Sequence, residues 1–446
     1  MMRRLSLAWA ALLSLLVACA PLPRQPAPPP AEKRYDAAEL QALQPAAFSW
    51  QAASRQGEIS LHARELAKIR AVLALPPGAE RDAALPALFE AVALFNAEID
   101  AARPLLLAAL PNLAGRDAEF QRALLTAAFT LYPAESAPLL WPLLPQLQTS
   151  KPFAIAAYTL LQAEPASAER LRGQVLQQFP AWAEDPRLTA LMQALQARST
   201  AAVASPSLPD LLAAPLRPGY PVIFSLQRPG RQQLGLALVR DANGRFVREA
   251  SGQLFASPLL ALARTGLPGT LTNGNTPQGV FTVIGAGTAS NPWIGPTPYL
   301  HSKLPIEGSP TEFEHGEAPA AWSEALYDSF LPPSWRHWAP IKEAWLAGRA
   351  GRDEILLHGT VINPDYYRGA SYFPGTPSAG CMVSQEEWDP ASGRLLSSRQ
   401  LALARTYAAA SLRQDLAGYL VVVELGAAEG PVTPAEAQAL VAAAGR

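Results

Sequence analysis

Ile355-Leu356-Leu357-His358-Gly359-Thr360, followed across a long loop by Ser378-Ala379-Gly380-Cys381, is the stretch on which the reading of the second half of this chain turns. A short apolar run of this kind reads as a buried strand. His358 closes the run and Gly359 interrupts it, so the imidazole is predicted at a strand end facing a loop. Gly380 permits a dihedral or a close approach that other residues resist. The two side chains are chemically complementary. A free thiol is mostly protonated at neutral pH. A neighbouring imidazole can take its proton, which creates a nucleophile and an acid for the leaving group. Backbone N–H groups around Gly380 and Cys381 would then face the oxyanion of an acyl transfer. Taken singly, each residue also has a plainer reading: an inert buried thiol and a histidine satisfied within a core.

Working outward, the chain of 446 residues has only two cysteines, Cys19 and Cys381. Cys19 ends the run Leu16-Val17-Ala18-Cys19. Arg3 and Arg4 precede an uncharged apolar stretch, Leu5 to Ala18, shorter than the ~20 residues of a spanning helix and suited to an export signal. The run resembles the lipobox of bacterial lipoproteins, which implies cleavage after residue 18 and lipidation of Cys19. Ala20 is not the aspartate that favours inner-membrane retention in enterobacterial lipoproteins, which points to a periplasmic protein anchored in the outer membrane. With Cys19 acylated, Cys381 has no disulfide partner and stands as a free, reactive thiol.

Residues 19–34 are rich in proline and read as an extended tether. From 35 to 198 apolar residues recur at helical spacing, as in Leu85, Leu88, Phe89, Val92 and Phe95, with Pro86 expected in the first turn of its helix. Phe120-Gln121-Arg122-Ala123 and Phe153-Ala154-Ile155-Ala156 open similar segments. Their separation suits a helix-pair repeat as well as a plain bundle. A proline-punctuated linker is predicted at 199–217. Beyond it lie strand-like runs at Pro221–Leu226, Leu234–Val239, Gly279–Ile284 and Tyr419–Leu425, and a turn at Asp241-Ala242-Asn243-Gly244. The expected architecture is multidomain: an all-α N-terminal part, bundle or solenoid-like, and a mostly-β part over 218–426. A closing helix is predicted within 427–446, with Thr433 and Glu436 as its capping box and Pro434 at its first position.

Net charge is −1, with no long basic run, so nothing favours nucleic-acid binding. His62, His301, His315, His337 and His358 are scattered, and no Cys/His cluster has zinc spacing. No metal site is therefore expected, and a thiol nucleophile with an imidazole base calls for no organic cofactor. His301 and His337 lie in a tryptophan-rich stretch and are candidates for a groove wall. Asp365, Tyr366 and Tyr367 are candidates to border the His358–Cys381 site.

His-Gly-Thr on a strand, then a loop, then Ser-x-Gly-Cys, resembles the YkuD-type L,D-transpeptidase catalytic domain. Asn275-Thr276-Pro277-Gln278-Gly279-Val280-Phe281 resembles that family's Thr-Pro-x-Gly-x-Phe strand, in the matching order. The resemblance implies Cys381 as nucleophile, His358 as its base and the Gly359 carbonyl as the group that orients the imidazole. It places Ser378 and Gly380 beside the nucleophile. It also implies a substrate, the stem peptides of peptidoglycan, and acyl transfer to an amine of a second stem peptide or of an envelope protein. Envelope proteins are further candidate partners of the helical part. Three departures stand out. Ala379 replaces the family's usual second histidine, Val383 replaces a polar residue, and the His358–Cys381 interval is longer than in most members. Hydrolysis of the same acyl-enzyme, and a silent peptidoglycan-binding scaffold, are the two alternatives.

Overall fold

The computed structural model describes residues 33–199, 204–426 and 428–445. The leader, Cys19 and nearly all of the tether fall outside the described residues. Helices Arg55–Leu73, Ala79–Phe95, Ile99–Ala109, Ala118–Leu131, Pro133–Leu140, Ser150–Ala163, Ala168–Gln178 and Pro186–Ser199 build the N-terminal part. Leu85, Leu88, Phe89 and Val92 are buried along one side of their helix. That helix starts at Ala79, so Pro86 lies inside it rather than in its first turn. The Glu80 and Asp82 carboxylates favour the earlier start, since negative charge suits a helix N-terminus. The two similar segments are helices Ala118–Leu131 and Ser150–Ala163. They pack against each other, and each is followed by a shorter helix. Phe120 and Phe153 are both in the same buried cluster.

The C-terminal part is organised by strands, which are β1 (Arg34–Tyr35), β2 (Val222–Gln227), β3 (Gly235–Arg240), β4 (Ala256–Leu259), β5 (Gly279–Gly287), β6 (Tyr299–Lys303), β7 (Ile355–His358), β8 (Met382–Val383), β9 (Glu386–Trp388), β10 (Leu395–Ser398) and β11 (Gly418–Glu424). Nine form one sheet in the order β4-β3-β2-β11-β5-β6-β7-β8, with β1 added to β5; β9 and β10 form a separate hairpin. The β2–β11 and β7–β8 pairs are parallel and the others antiparallel. Just beyond β4, Leu260 and Val383 exchange both backbone hydrogen bonds at 2.9 Å, so the sheet nearly closes on itself beside β8.

Central strands are apolar on both faces because both are covered. Phe224, Val421 and Val423 meet the aromatic segment that carries Phe313, Tyr327 and Trp335. Ile223, Leu420 and Val422 meet helix Arg399–Ala410 through Leu403, Ala404 and Tyr407. Trp335 and Trp345 are thus core residues. The closing helix is Pro434–Ala443. Thr433 caps it by accepting the Glu436 N–H, while the Glu436 carboxylate is taken by Arg228 at 2.7 and 2.9 Å.

The two parts are less separable than composition implies. Tyr35 pairs with Ala286, and Leu40 is buried in the sheet's core, so the first residues of the 35–198 segment belong with the sheet. Within 199–217, helix Leu208–Ala213 buries Leu211 and Leu212 against the same sheet. In the other direction, Leu267 and Leu271, from the loop between β4 and β5, are fully buried in the helical core.

Candidate active site

β7 and β8 run in parallel, with Leu357 opposite Met382 and His358 opposite Val383. Leu357 and Met382 face the core beside helix Arg399–Ala410. Strand alternation therefore places His358 and Cys381 together on the other face. His301, on β6, stands opposite Leu356 one strand further along, so it shares that face and lines a surface pocket with Arg34, Lys303 and Asp415.

The His358 imidazole is buried, and its Nδ1 lies 2.5 Å from the Gly359 carbonyl oxygen. A carbonyl only accepts, so Nδ1 carries the proton and Nε2 is left as the base. Burial lowers the imidazole pKa to about 4, only partly opposed by the Gly359 carbonyl. At neutral pH it is an uncharged, oriented proton acceptor. Gly359 has no space for a side chain: a methyl there would lie 2.2 Å from the carboxyl carbon of Glu386.

Glu386, buried on β9, was not foreseen from sequence. Ser398 Oγ donates to its Oε1 at 2.6 Å. Burial pushes its pKa from 4.5 up to about 8, against the lowering effect of its hydroxyl and backbone donors. Nothing in the run Gln385-Glu386-Glu387 distinguishes it from a solvated charged segment.

The cysteine loop is tightly specified. Ser378 Oγ donates to Cys381 O at 2.7 Å and accepts the Gly380 N–H at 2.9 Å. The Gly380 N–H is therefore occupied, and the expectation that it would face an oxyanion shifts to the Cys381 N–H, which has no hydrogen-bond partner among the described residues. Gly380 sits at φ 131°, and its carbonyl accepts from Thr276 Oγ1 at 2.8 Å and from Arg352 Nη2 at 3.3 Å. Through Thr276 the Asn275–Phe281 motif meets the cysteine motif.

The thiol is not hydrogen-bonded to His358. Sγ accepts from Leu356 N at 3.4 Å and lies 3.5 Å from the Glu354 carbonyl. It is turned along the β7 edge toward the start of that strand, away from the histidine at its end. The residue keeps intermediate exposure, yet its sulfur is crowded. Burial raises its pKa, and the Leu356 N–H and the Arg352 charge oppose that rise. A change of χ1 rotamer is the motion that would carry Sγ off the strand edge.

The loop between the two residues is docked rather than free. Glu58 accepts the Asn363 N–H at 2.8 Å, and His62 packs on Tyr366 with ring centroids 4.3 Å apart. Asp365, Tyr366 and Tyr367 thus stand between the site and the helical part. Ala379, in place of a second histidine, is exposed.

Comparison with protein-family models, with curated proteins and with solved structures finds no match. No group of three or more metal-ligating side chains occurs among the described residues. No described helix is long and apolar enough to cross a membrane.

Proposed function

We propose that this protein is a cysteine acyltransferase of L,D-transpeptidase type acting on peptidoglycan stem peptides. The observation that carries the reading is a neutral imidazole, fixed through Nδ1 with Nε2 available, on the same sheet face as a thiol in a loop that admits only glycine before it. Cys381 turns off the strand edge and gives its proton to His358 Nε2. The thiolate attacks the carbonyl carbon of the third stem residue, with the Cys381 N–H placed to receive the oxyanion. The peptide C–N bond breaks, and the terminal D-amino acid leaves with the proton from His358. An amine of a second stem peptide or of an envelope protein then takes the acyl group from sulfur; water in that role makes the same site a carboxypeptidase or amidase. The leader is read as a lipoprotein signal, with Cys19 as the outer-membrane anchor.

A second reading has its own support. The thiol's bonds to the β7 backbone, away from His358, suit a silent domain that only grips peptidoglycan. Incubation with disaccharide tetrapeptides separates the two. Catalysis predicts release of the terminal D-residue and a mass adduct at Cys381, both lost in Cys381→Ala and His358→Ala. Absence of any adduct with stem peptides or β-lactam-type acylating probes leaves the scaffold.

A further inference from the structure

His358 rests neutral, so it offers a thiolate a counter-charge only once it has taken the proton. Arg352, three residues before β7, supplies a buried cation. Its Nη1 donates to Gly269 O at 2.5 Å and to Asn275 O at 2.6 Å, and its Nη2 donates to Gly274 O at 2.6 Å and to Gly380 O at 3.3 Å. No carboxylate lies within ion-pair distance of it among the described residues. A guanidinium buried among carbonyl dipoles alone is an expensive arrangement. A structural clamp needs donors but not an uncompensated charge.

The acidic groups around that charge include the nucleophile. Burial lowers the Arg352 pKa to about 10, and the groups that oppose the lowering are Cys381 first, then Glu343 and Asp353. Glu343 is committed to the Gln278 N–H at 2.9 Å. Asp353 is exposed. From the β7 side the thiol meets the exposed Glu354, whose charge disfavours the thiolate, while the neutral His358 lies at the far end of the strand.

Resting on the reading of Cys381 as nucleophile, we propose that Arg352 is its positioning residue and counter-charge: it fixes the Gly380 carbonyl and stabilises the thiolate formed one residue later. The Gly380 carbonyl that Arg352 holds belongs to the residue preceding the nucleophile, and charge attraction in a low-dielectric site is worth far more than in water. The proton itself still goes to His358.

The test is the pH profile of Cys381 alkylation by iodoacetamide, read beside thermal melts, for wild type, Arg352→Gln and Arg352→Lys. Gln keeps donors without charge; Lys keeps charge without the fork. The expected result is a midpoint moved to higher pH in Arg352→Gln, with alkylation at neutral pH about tenfold slower, and a near wild-type midpoint in Arg352→Lys. Equal midpoints in Arg352→Gln and wild type overturn the proposal. So does a shift in Arg352→Lys as large as that in Arg352→Gln, which would reduce the residue to a clamp. If Arg352→Gln does not fold, Arg352→Lys is judged against wild type alone: a near wild-type midpoint supports the proposal, and a midpoint higher by about one pH unit or more overturns it. Alkylation needs no stem peptide. Failure to form an acyl-enzyme therefore sinks the proposed function, while an unmoved midpoint sinks only the role of Arg352.

Discussion

Gly380→Ala puts the construction of the cysteine loop to its most direct test. The new methyl would sit 2.3 Å from Arg352 Nη2 and 2.8 Å from the Gly274 carbonyl oxygen, at a φ of 131° that side chains rarely adopt. Backbone strain of this kind costs about 1–3 kcal/mol. Relief of the overlap requires the guanidinium to withdraw, which weakens its bonds to Gly274 and Gly380. Hydrogen bonds from a charged donor contribute about 1.5–3 kcal/mol each. With the two bonds weakened by about half, the expected loss is about 2.5–6 kcal/mol, a large share of the ~5–15 kcal/mol that holds a typical domain. Gly369→Ala serves as the control, because φ there is 95° but no atom lies within 4 Å of the added methyl; it should show the strain alone. Circular-dichroism melts should show Gly380→Ala lower in Tm by roughly 5–10 °C, with Gly369→Ala well above it. Cys381 alkylation should change in the first variant and not in the second. Equal melts for the two variants, with unchanged thiol kinetics, would show that the Arg352–Gly380 contact constrains nothing.

Two further outcomes follow from burial. Leu271→Ala removes a fully buried side chain from the helical core and should cost about 2–5 kcal/mol in urea denaturation; a loss below about 1 kcal/mol would mean that the loop is not anchored there. Glu386 holds its proton up to about pH 8 when folded, against an ordinary 4.5. The unfolded chain releases that proton earlier, so the group's contribution to stability falls as pH rises through this window and levels off above it. Glu386→Gln should therefore gain stability relative to wild type between about pH 5 and pH 8, and parallel stability–pH curves would contradict the buried, protonated acid.

The long central strands were legible because runs such as Val222–Leu226 and Tyr419–Val423 are apolar on both faces. β6 was missed: its outward residues, Tyr299, His301 and Lys303, give it the look of a polar loop. β8 has only two residues, and its place is fixed by β7 and Leu260 rather than by its own composition. The glycines, the histidine and the cysteine were visible because their roles are local. Arg352 was not, since Gly351-Arg352-Asp353-Glu354 reads as a solvated charged turn until the carbonyls of Gly269, Gly274 and Asn275 are brought around it. Leu267 and Leu271 sit in a stretch punctuated by proline and glycine, and nothing local says that they are buried in a cluster whose other members span residues 69–195. The direction of the thiol is a rotamer, which no sequence pattern records.

Those two leucines also bear on the order in which the protein is made. Synthesis runs from the N-terminus, and domains generally fold as they emerge. The helical part is complete well before Leu267 and Leu271 exist, so its core must first form with two vacant seats. When the later loop arrives and fills them, the carbonyls of Gly269, Gly274 and Asn275 come to hand for Arg352, and only after that does the chain reach Gly380 and Cys381. The nucleophile loop is thus a late piece, set on a foundation that begins in the first half of the chain, with β9, β10, helix Arg399–Ala410 and β11 still to come. A C-terminal fragment made by itself would carry the His358 and Cys381 motifs intact and still lack the surface on which they are assembled.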